Sequence, residues 1–401
     1  MALLPVEEAL ERILEGVRPL PGEEATLEHA EGRALASPLE ALRTQPPFDA
    51  SAMDGYAVRA ADVASVPARL TLIGEAAAGR HFPGTLGAGE AVRIFTGAPV
   101  PDGADTILIQ ENARRLDEAA IEATEPVASG RHIRRKGLDF QEGDIVLERG
   151  RTLDPAAISL AAAAGHARLP VVRRPLVAVI ATGDELVPPG TRPGPGQIVA
   201  SNSYSIGALA RLDGAEVLDL GIAADTQEAI GGLLDKAVDA GADIVVTLGG
   251  ASVGEHDLVR EVLIERGMTL AFWKIAMRPG KPFMFARSGE IRVLGLPGNP
   301  VSSLVCAHLF LRPLLARMGG RVFTPDLRQA ELAVSMKAND QRQDYVRASV
   351  AYGQGGLIAT PFDVQDSSML STLAAANALI IRPPYAEASP KGARCQVLML
   401  R

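Results

Sequence analysis

Residues 176–185 read LVAVIATGDE, an apolar run that ends abruptly in small and acidic residues. Similar compact apolar runs follow at residues 216–220, 243–248 and 291–296, and stretches with helical periodicity separate them. Strands that alternate with helices are typical of βαβ units, in which helices cover a parallel sheet. The sequence therefore predicts a doubly wound α/β domain, which we place at residues 176–322.

The chain before this domain changes character twice. Residues 6–17 place apolar side chains on one helical face, and two prolines that follow end this helix. Residues 46–144 instead carry short apolar runs between Gly and Pro clusters, which indicate the strands of a small β domain. Residues 155–164 return to a helical pattern. We therefore expect this β domain to be inserted into a mixed linker domain formed by residues 1–45 and 145–175.

The last part of the chain, residues 323–401, has the pattern of a further β domain. It contains short alternating runs, among them residues 331–334 and 345–351, and it ends with a strand pattern at residues 395–400. A length of 401 residues suits two to four domains of about 150 residues each. The sequence as a whole predicts a multidomain protein of the α/β plus β class.

The composition is that of a globular protein, with 47% apolar and 22% charged residues. Acidic residues outnumber basic residues by 48 to 40, so we do not expect nucleic acid as a partner. Cys306 and Cys395 are too few for a disulfide framework and indicate a reducing compartment. Glutamates interrupt residues 1–16, whereas a signal peptide has an uninterrupted apolar stretch. The Ala-rich stretch 156–167 is shorter than the ~20 residues that a membrane span requires. We therefore expect a cytoplasmic protein that binds no membrane.

Three polar or Gly-rich loops follow the predicted strands, at residues 182–185, 249–257 and 297–300. Ligands of open parallel sheets bind beyond the carboxyl ends of the strands, so we expect the site there. The loop 249–254 (GGASVG) can bring backbone N–H groups close to a phosphate, although tight turns alone also explain its glycines. It matches neither a Walker A loop nor the dinucleotide fingerprint GxGxxG, which disfavours an ordinary ATPase or dehydrogenase.

Charged side chains of both signs accompany these loops. Carboxylates on three loops suit Mg²⁺, although a helix N-cap explains any one of them alone, Asp225 above all. A rigid basic turn at residues 274–283 could hold an oxyanion, and a solvated turn is the alternative. Asn299 and Ser302 add neutral hydrogen-bond donors at the start of a helix. The carboxylates are Asp184, Glu185, Asp225, Glu255 and Asp257, and the cations are Lys274, Arg278 and Lys281.

Taken together, the motifs resemble those of the bacterial molybdopterin molybdenumtransferases of molybdenum-cofactor biosynthesis, which are similar to the E domain of gephyrin. The resemblance covers nearly the whole chain. Its most specific segments are FDASAMDGYAV at residues 48–58 and IFTGAPVP at residues 94–101. The other segments that carry it are residues 182–186, 249–254, 274–283, 296–302 and 367–373, with Ala376 and Asn377.

The resemblance implies an elongated homodimer whose subunit has four domains: the mixed linker domain, the inserted β domain, a molybdopterin-binding α/β domain and a C-terminal β barrel. It implies insertion of molybdate into adenylyl-molybdopterin with Mg²⁺-assisted release of AMP. A molybdopterin adenylyltransferase would be the upstream partner. The active site would lie between the α/β domain of one subunit and the inserted β domain of the other.

The resemblance also implies roles for particular residues. Asp225 and Asp257 would bind Mg²⁺. The sequence departs from the family pattern at Arg278, where the family often has Lys. Lys281, Ser302 and Arg347 would hold molybdate, and Lys274 would bind the charged end of the pterin nucleotide. The expected catalytic residues are Asp54, Thr96, Glu185 and Asp257, and the expected substrate-binding residues are Gly249, Gly250, Ser252, Gly254, Lys274, Arg278, Lys281, Pro297, Asn299, Pro300, Ser302 and Arg347.

Two other functions remain open at this point. Molybdopterin adenylyltransferases resemble the α/β domain, but they lack the insert around Met53, Asp54 and Gly55 and the C-terminal barrel. A non-catalytic scaffold of the gephyrin type is the second alternative, in which surfaces of the dimer would bind a partner. The full set of carboxylates and cations on the predicted loops favours an enzyme.

Overall fold

The computed structural model describes residues 3–250 and 258–401, which form two compact units. The first unit comprises the chain up to Glu23, Gly32–Ala36 and Val171–Arg401. The second unit comprises Glu24–Glu31 and Ser37–Pro170. The N-terminal helix thus belongs to the unit that contains the α/β domain, and it buries Ala9 and Ile13 in that unit's core.

The second unit is built around the inserted β domain that the sequence predicts. Its six-stranded sheet has the order β7-β4-β6-β5-β9-β8, and Leu108 and Ile121 lie in its core. Asp154 caps α2 by accepting a hydrogen bond from the Ala157 N–H at 2.8 Å. The elements up to Val172 are α1 (Val6–Leu14), β1 (Gly22–Thr26), β2 (Leu39–Glu40), β3 (Ala50–Ser51), β4 (Gly55–Val58), β5 (Ala68–Ala76), β6 (Glu90–Ile94), β7 (Thr106–Ile109), β8 (Ala113–Arg115), β9 (Ala120–Ala123), β10 (Ile133–Arg134), β11 (Ile145–Leu147), α2 (Pro155–Ala163) and β12 (Arg168–Val172).

The α/β domain contains the four strands that the apolar runs predict. Helices cover both faces of its sheet. The elements are β13 (Leu176–Thr182), β14 (Leu186–Val187), β15 (Ile198–Val199), α3 (Asn202–Leu212), β16 (Glu216–Ala223), α4 (Gln227–Asp239), β17 (Ile244–Leu248), α5 (Leu258–Glu265), β18 (Thr269–Phe272), β19 (Met277–Arg278), β20 (Met284–Ser288), β21 (Ile291–Leu296), α6 (Pro300–Cys306) and α7 (Arg312–Met318).

The main sheet has the order β16-β13-β17-β21-β20-β18. The first four strands are parallel, but β20 runs antiparallel to both of its neighbours, β21 and β18, so the sheet is mixed rather than wholly parallel. Alternate side chains of β13 enter two cores: Val177 and Val179 face one, and Ala178 and Ile180 face the other. Burial on both faces explains why this strand shows an unbroken apolar run rather than alternation.

The C-terminal domain is a closed barrel, as expected. Five strands form a ring in the order β22-β24-β23-β25-β26, in which β26 pairs with β22 and removes the free edges. The short strand β19 of the preceding domain pairs with β23, which joins the barrel to the basic turn. The elements are β22 (Leu327–Leu332), β23 (Gln343–Gly353), β24 (Gly356–Pro361), α8 (Leu370–Ala375), β25 (Ala378–Arg382) and β26 (Arg394–Met399).

One helical stretch in the described part of the chain, Pro300–Met318, has the length and mean hydropathy (1.3) of a membrane span. It joins α6 to α7 through the π-helical turn Ala307–Leu311. However, 78% of its most apolar window is buried within the fold. Such burial is typical of the core helix of a globular domain, and Phe310 within it is fully buried.

We predict that His308, in this π-helical turn, makes the stability of the protein depend on pH. Burial and, secondarily, the charge of Arg312 lower the pKa of His308 from 6.5 to about 4. The unfolded chain therefore takes up a proton that the folded chain excludes, so stability present above pH 6.5 is lost as the pH falls toward 4. The partial exposure of the side chain limits this loss to about 2 kcal/mol.

Urea unfolding at about pH 7.5 and about pH 5 measures this effect. The variant His308→Leu should lose less stability between the two pH values than the wild type. His81→Leu, at an exposed loop position, is the matched control and should retain the wild-type loss. An unchanged pH dependence in His308→Leu would show that this histidine is not the responsible group.

Candidate active site

A cavity of about 770 Å³ lies at the carboxyl ends of β13, β17 and β21. This is the edge of the sheet where the sequence analysis expects a ligand. Loops after the three strands form much of its wall, together with the start of α3 and the segment before α8. The predicted site residues that line it are Glu185, Asp225, Gly249, Gly250, Pro297, Asn299 and Pro300.

Two carboxylates on the cavity wall have no side-chain partner. In the described part of the chain, neither Glu185 nor Asp225 accepts a hydrogen bond or forms an ion pair through its carboxylate. Glu185 folds over Gly183, where any side chain would collide with its carboxylate oxygens. Asp184 is instead engaged, because its Oδ1 accepts a hydrogen bond at 3.0 Å from the backbone N–H of Asp225.

The structure also decides which residue caps α4. Thr226 is the N-cap, and its hydroxyl accepts a hydrogen bond from the Ala229 N–H at 3.2 Å. The alternative interpretation of Asp225 as a helix cap is therefore wrong. Its carboxylate stays available on the wall of the cavity.

Two glycines that follow β17 are required by close packing. Gly249 and Gly250 have φ values of +98° and +68°, and a side chain on either would press against Thr182 or Val259. These contacts explain the two glycines without a ligand, although their backbone does line the cavity. The other predicted residues of this loop, Ser252, Gly254 and Asp257, lie outside the described residues.

Five predicted substrate-binding residues do not line the cavity, although all five belong to the described part of the chain. Ser302 is buried in the first turn of α6. Lys274 and Lys281 are half-buried, and neither ammonium has a hydrogen bond or ion pair with the described residues. Lys281 directly precedes Pro282, which does line the cavity. The other two, Arg278 and Arg347, bind protein groups.

Arg278 forms a bidentate ion pair with Asp344 of the barrel strand β23. Its Nε donates to Asp344 Oδ1 at 2.7 Å, and its Nη2 donates to the other carboxylate oxygen. Asp340 lies 3.6 Å from the same guanidinium group. Bidentate pairs of this kind fix both the position and the orientation of the two side chains. The arginine therefore holds the basic turn against the barrel, a role that sequence alone did not predict.

Arg347 is buried, with 1% of its surface exposed, and its guanidinium group faces backbone carbonyls. It donates to Asp366 O at 2.9 Å and to Met369 O at 3.2 Å, with a longer contact to Val364 O. It thereby orders the segment 364–369. Ser368 within this segment and Leu370 next to it line the cavity. The expected contact of Arg347 with an anion has no counterpart in the cavity, and the structure gives it a supporting position.

Sequence reasoning from the strand-end loops also missed part of the wall. Asn202 and Ser203, at the start of α3, line the cavity, and the Asn202 amide donates to Gly298 O at 2.7 Å. Asn299 donates to the Ser367 hydroxyl at 3.0 Å, which connects the last loop to the barrel segment. The polar triplet at residues 201–203, just before a helical pattern, was the available signal.

The second unit contains a separate predicted pair, Asp54 and Thr96. Asp54 Oδ1 accepts hydrogen bonds from the Thr96 N–H at 2.7 Å and from its hydroxyl at 2.8 Å. These two bonds hold the pKa of Asp54 below its ordinary value, so the carboxylate is ionised at neutral pH. The fold thus brings together two residues that are 42 positions apart in sequence.

The donors in the cavity are compatible with Mg²⁺. Within residues 3–250 and 258–401, no three His, Cys, Asp or Glu side chains are arranged so that they could hold a metal ion by themselves. Mg²⁺ commonly takes only one or two carboxylates and completes its shell with water and substrate phosphates. Unpartnered carboxylate oxygens on Glu185 and Asp225 fit this requirement.

Three regions of the chain match protein-family models. Residues 4–165 match the MoeA N-terminal region (domains I and II), and residues 329–400 match the MoeA C-terminal region (domain IV). Residues 178–317, which form the cavity's main wall, match a probable molybdopterin-binding domain. The fold and the site therefore define a multidomain protein of molybdenum-cofactor biosynthesis.

Individual relatives specify the family. A molybdopterin molybdenumtransferase of Nostoc sp. is 37% identical over 88% of this chain and 83% of its own length, and that of Haemophilus influenzae is 35% identical over 94% of each. A crystal structure of the molybdopterin biosynthesis MoeA protein from Pyrococcus horikoshii superposes with a TM-score of 0.85 at 32% identity, and covers 100% of both chains. The chain belongs to the molybdopterin molybdenumtransferase (MoeA) family of enzymes.

We predict that Arg347→Met destabilises the protein and loosens the cavity wall. The change removes the hydrogen bonds that the buried Arg347 guanidinium donates to carbonyl oxygens of the segment 364–369, which should cost about 3 kcal/mol. Urea unfolding measures the loss, and limited proteolysis should show new cleavage within this segment. Arg328→Met is the matched control, because its ion pair with Asp326 is solvent-exposed and should contribute little to stability. Equal stability losses in the two variants would contradict the supporting role of Arg347.

Proposed function

We propose that this protein inserts molybdate into adenylyl-molybdopterin and releases AMP in an Mg²⁺-dependent step. The observation that carries the proposal is a pair of carboxylates, Glu185 and Asp225, on the wall of a cavity of about 770 Å³, neither of which is bonded to another described residue. That cavity lies in the region matching a molybdopterin-binding domain. The names of the relatives supply the reaction class.

The chemical difficulty of this reaction is that its two substrates are anions. Molybdate is a dianion and the adenylyl-molybdopterin linkage is a pyrophosphate, so they repel each other on approach. Lys274 and Lys281, neither of which pairs with a described residue, supply positive charge in the basic turn. We assign Lys281 and Ser302 to molybdate and Lys274 to the nucleotide. Asp225 and Asp257 would hold Mg²⁺, which would supply positive charge to the phosphate groups.

The remaining residues position these groups. Glu185 orients the reacting phosphate or its water, and the backbone of residues 249–254 holds the phosphate oxygens. The loop residues Pro297, Asn299 and Pro300 shape the wall opposite. Arg278 and Arg347 support the site indirectly. Arg278 holds the basic turn, and Arg347 holds the segment 364–369. Holding reactants in place in this way can lower the barrier by several kcal/mol.

We also propose that the enzyme works as a cytoplasmic homodimer and receives its substrate from a molybdopterin adenylyltransferase. In this proposal, Asp54 and Thr96 of one subunit complete the cavity of the other. The hydrogen bonds from Thr96 keep the Asp54 carboxylate charged and fixed in orientation, as a group that acts on a bound substrate requires.

We predict that Asp225→Asn lowers the rate of AMP release by about 100-fold or more and weakens its dependence on Mg²⁺. The amide retains the shape of the side chain but lacks the charge that binds the metal. The assay contains purified protein, adenylyl-molybdopterin, molybdate and varied Mg²⁺. Asp239→Asn, at the exposed end of α4, is the matched control and should behave as the wild type.

An unchanged Mg²⁺ titration in Asp225→Asn would remove this carboxylate from the metal site. A parallel reaction with ATP and molybdopterin tests the adenylyltransferase alternative. Consumption of ATP there, without any need for adenylyl-molybdopterin, would favour that alternative. Folding of each variant is checked by its circular dichroism spectrum.

We further predict that two inactive variants, Asp54→Asn and Asp225→Asn, restore activity when their subunits are exchanged. Random exchange gives about half heterodimers, each with one intact shared site, so roughly a quarter of the wild-type rate should return. The measurement is AMP release after mixing and mild subunit exchange. Mixing two batches of the same variant is the control. Activity that stays at the level of the single variants would place Asp54 and Asp225 in the same subunit's site.

A further inference from the structure

Five arginines gather at the end of the sheet opposite the cavity. Residues 173–175 directly precede β13, whereas the cavity begins where β13 ends, so a strand of about 20 Å separates the two places. Loops before β13 and after α3 and α7 meet here, and part of the group lines a narrow cleft. We call this group the arginine cluster, and it consists of Arg33, Arg173, Arg174, Arg312 and Arg321.

Three arginines of the arginine cluster are each paired with one carboxylate. Asp243 accepts two hydrogen bonds from Arg173, at 2.7 and 2.8 Å, and Asp213 accepts two from Arg312, at 2.8 and 3.2 Å. Glu23 pairs with the third arginine, Arg33. The charge of Glu216 also acts on Arg173, so the five arginines of the cluster face four carboxylates.

The two arginines without a carboxylate partner converge on one point. Among the described residues, the Arg174 side chain donates to Gly214 O alone, at 3.3 Å, and the Arg321 side chain donates to Asp213 O alone. A Cβ atom at Gly214 would lie 3.4 Å from Arg321 Nη2 and 3.9 Å from Arg174 Nη1. Because position 214 is a glycine, no side chain occupies the space that both guanidinium groups face.

The electrostatics of Arg321 agree with this geometry. Burial lowers the pKa of the Arg321 guanidinium, and the like charges of Arg174 and Arg312 lower it further, against the opposing effect of Asp213. The group stays charged, so the repulsion is not relieved by loss of a proton. An anion between the two arginines would relieve it.

We propose that Arg174 and Arg321 form a second anion site, which binds a tetrahedral oxyanion at the mouth of the cleft. The cleft itself holds only about 10 Å³, so the ligand sits at its mouth, where both side chains are partly exposed. Planar guanidinium groups present paired N–H donors that match the oxygens of phosphate, sulfate or molybdate. This site is independent of the cavity and of the function proposed for it.

Occupation of the site should stabilise the fold, since the anion joins the turn after α3, the end of α7 and the start of β13. Thermal unfolding tests this with inorganic phosphate, sulfate or molybdate, each compared with chloride at equal ionic strength. All proteins carry Lys281→Met, so that binding in the cavity does not contribute. An oxyanion near 100 times its Kd should raise Tm by about 3 °C or more in this background.

The variant Arg174→Gln with Arg321→Gln should lose this shift, whereas Arg192→Gln, at an exposed loop position, should retain it. A shift with all three anions supports a general oxyanion site, and a shift with molybdate alone supports a site for the substrate anion. A shift that chloride reproduces, or that persists in the double variant, overturns the proposal.

Arg174→Gln alone provides a second test in case the double variant does not fold. Its single hydrogen bond, at 3.3 Å, makes it the less disruptive change. Equilibrium dialysis with molybdate should show at least a ~10-fold weaker second site in this variant. AMP release by the same variant without Lys281→Met should equal that of the wild type, because Arg174 is remote from the cavity. Unchanged binding in Arg174→Gln would contradict the proposal.

Discussion

The common level at which β13, β17 and β21 end is the constraint on which the site depends. Hydrogen-bonded register places Ala181, Leu248 and Leu296 side by side across the three strands. Each loop therefore leaves the sheet next to the others, although the segments lie far apart in sequence. A parallel sheet has few ways to slip this register, because both of its faces are buried. The position of the cavity follows directly from the burial of these strands.

The site keeps charges of both signs without internal partners. Several other charged groups of this unit pair with one another, for example Arg173 with Asp243 and Arg312 with Asp213. Glu185 and Asp225 on one side, and Lys281 in the adjacent turn, have no such partner in the described residues. Groups that already formed ion pairs would have to break them before they could bind a substrate or a metal. Leaving them unpaired makes the site ready for charged ligands.

Sequence predicted the parts of this structure that depend on local pattern. The runs at residues 176–181 and 243–248 became β13 and β17, because burial on both faces leaves a continuous apolar signal. The antiparallel edge strands β18 and β20 were not predicted, since short strands beside a basic turn lack that signal. The sequence also did not reveal the roles of side chains whose partners lie far away in the chain. The charge of Arg278 suggested an anion ligand, and only the fold shows Asp344 beside it.

The barrel contributes to the cavity in a way that its separate sequence pattern conceals. Its strand β23 pairs with β19 and so supports one side of the basic turn, and Asp344 of the same strand binds Arg278. On the other side Ser367 accepts a hydrogen bond from Asn299, and its carbonyl accepts another from the Val301 N–H. An arginine suits the contact with Asp344 because its guanidinium group can donate to both carboxylate oxygens at once, which a lysine cannot do. Arginine at position 278 is therefore explained by attachment of the barrel, whereas Lys274 and Lys281 of the same turn form no ion pair with the described residues.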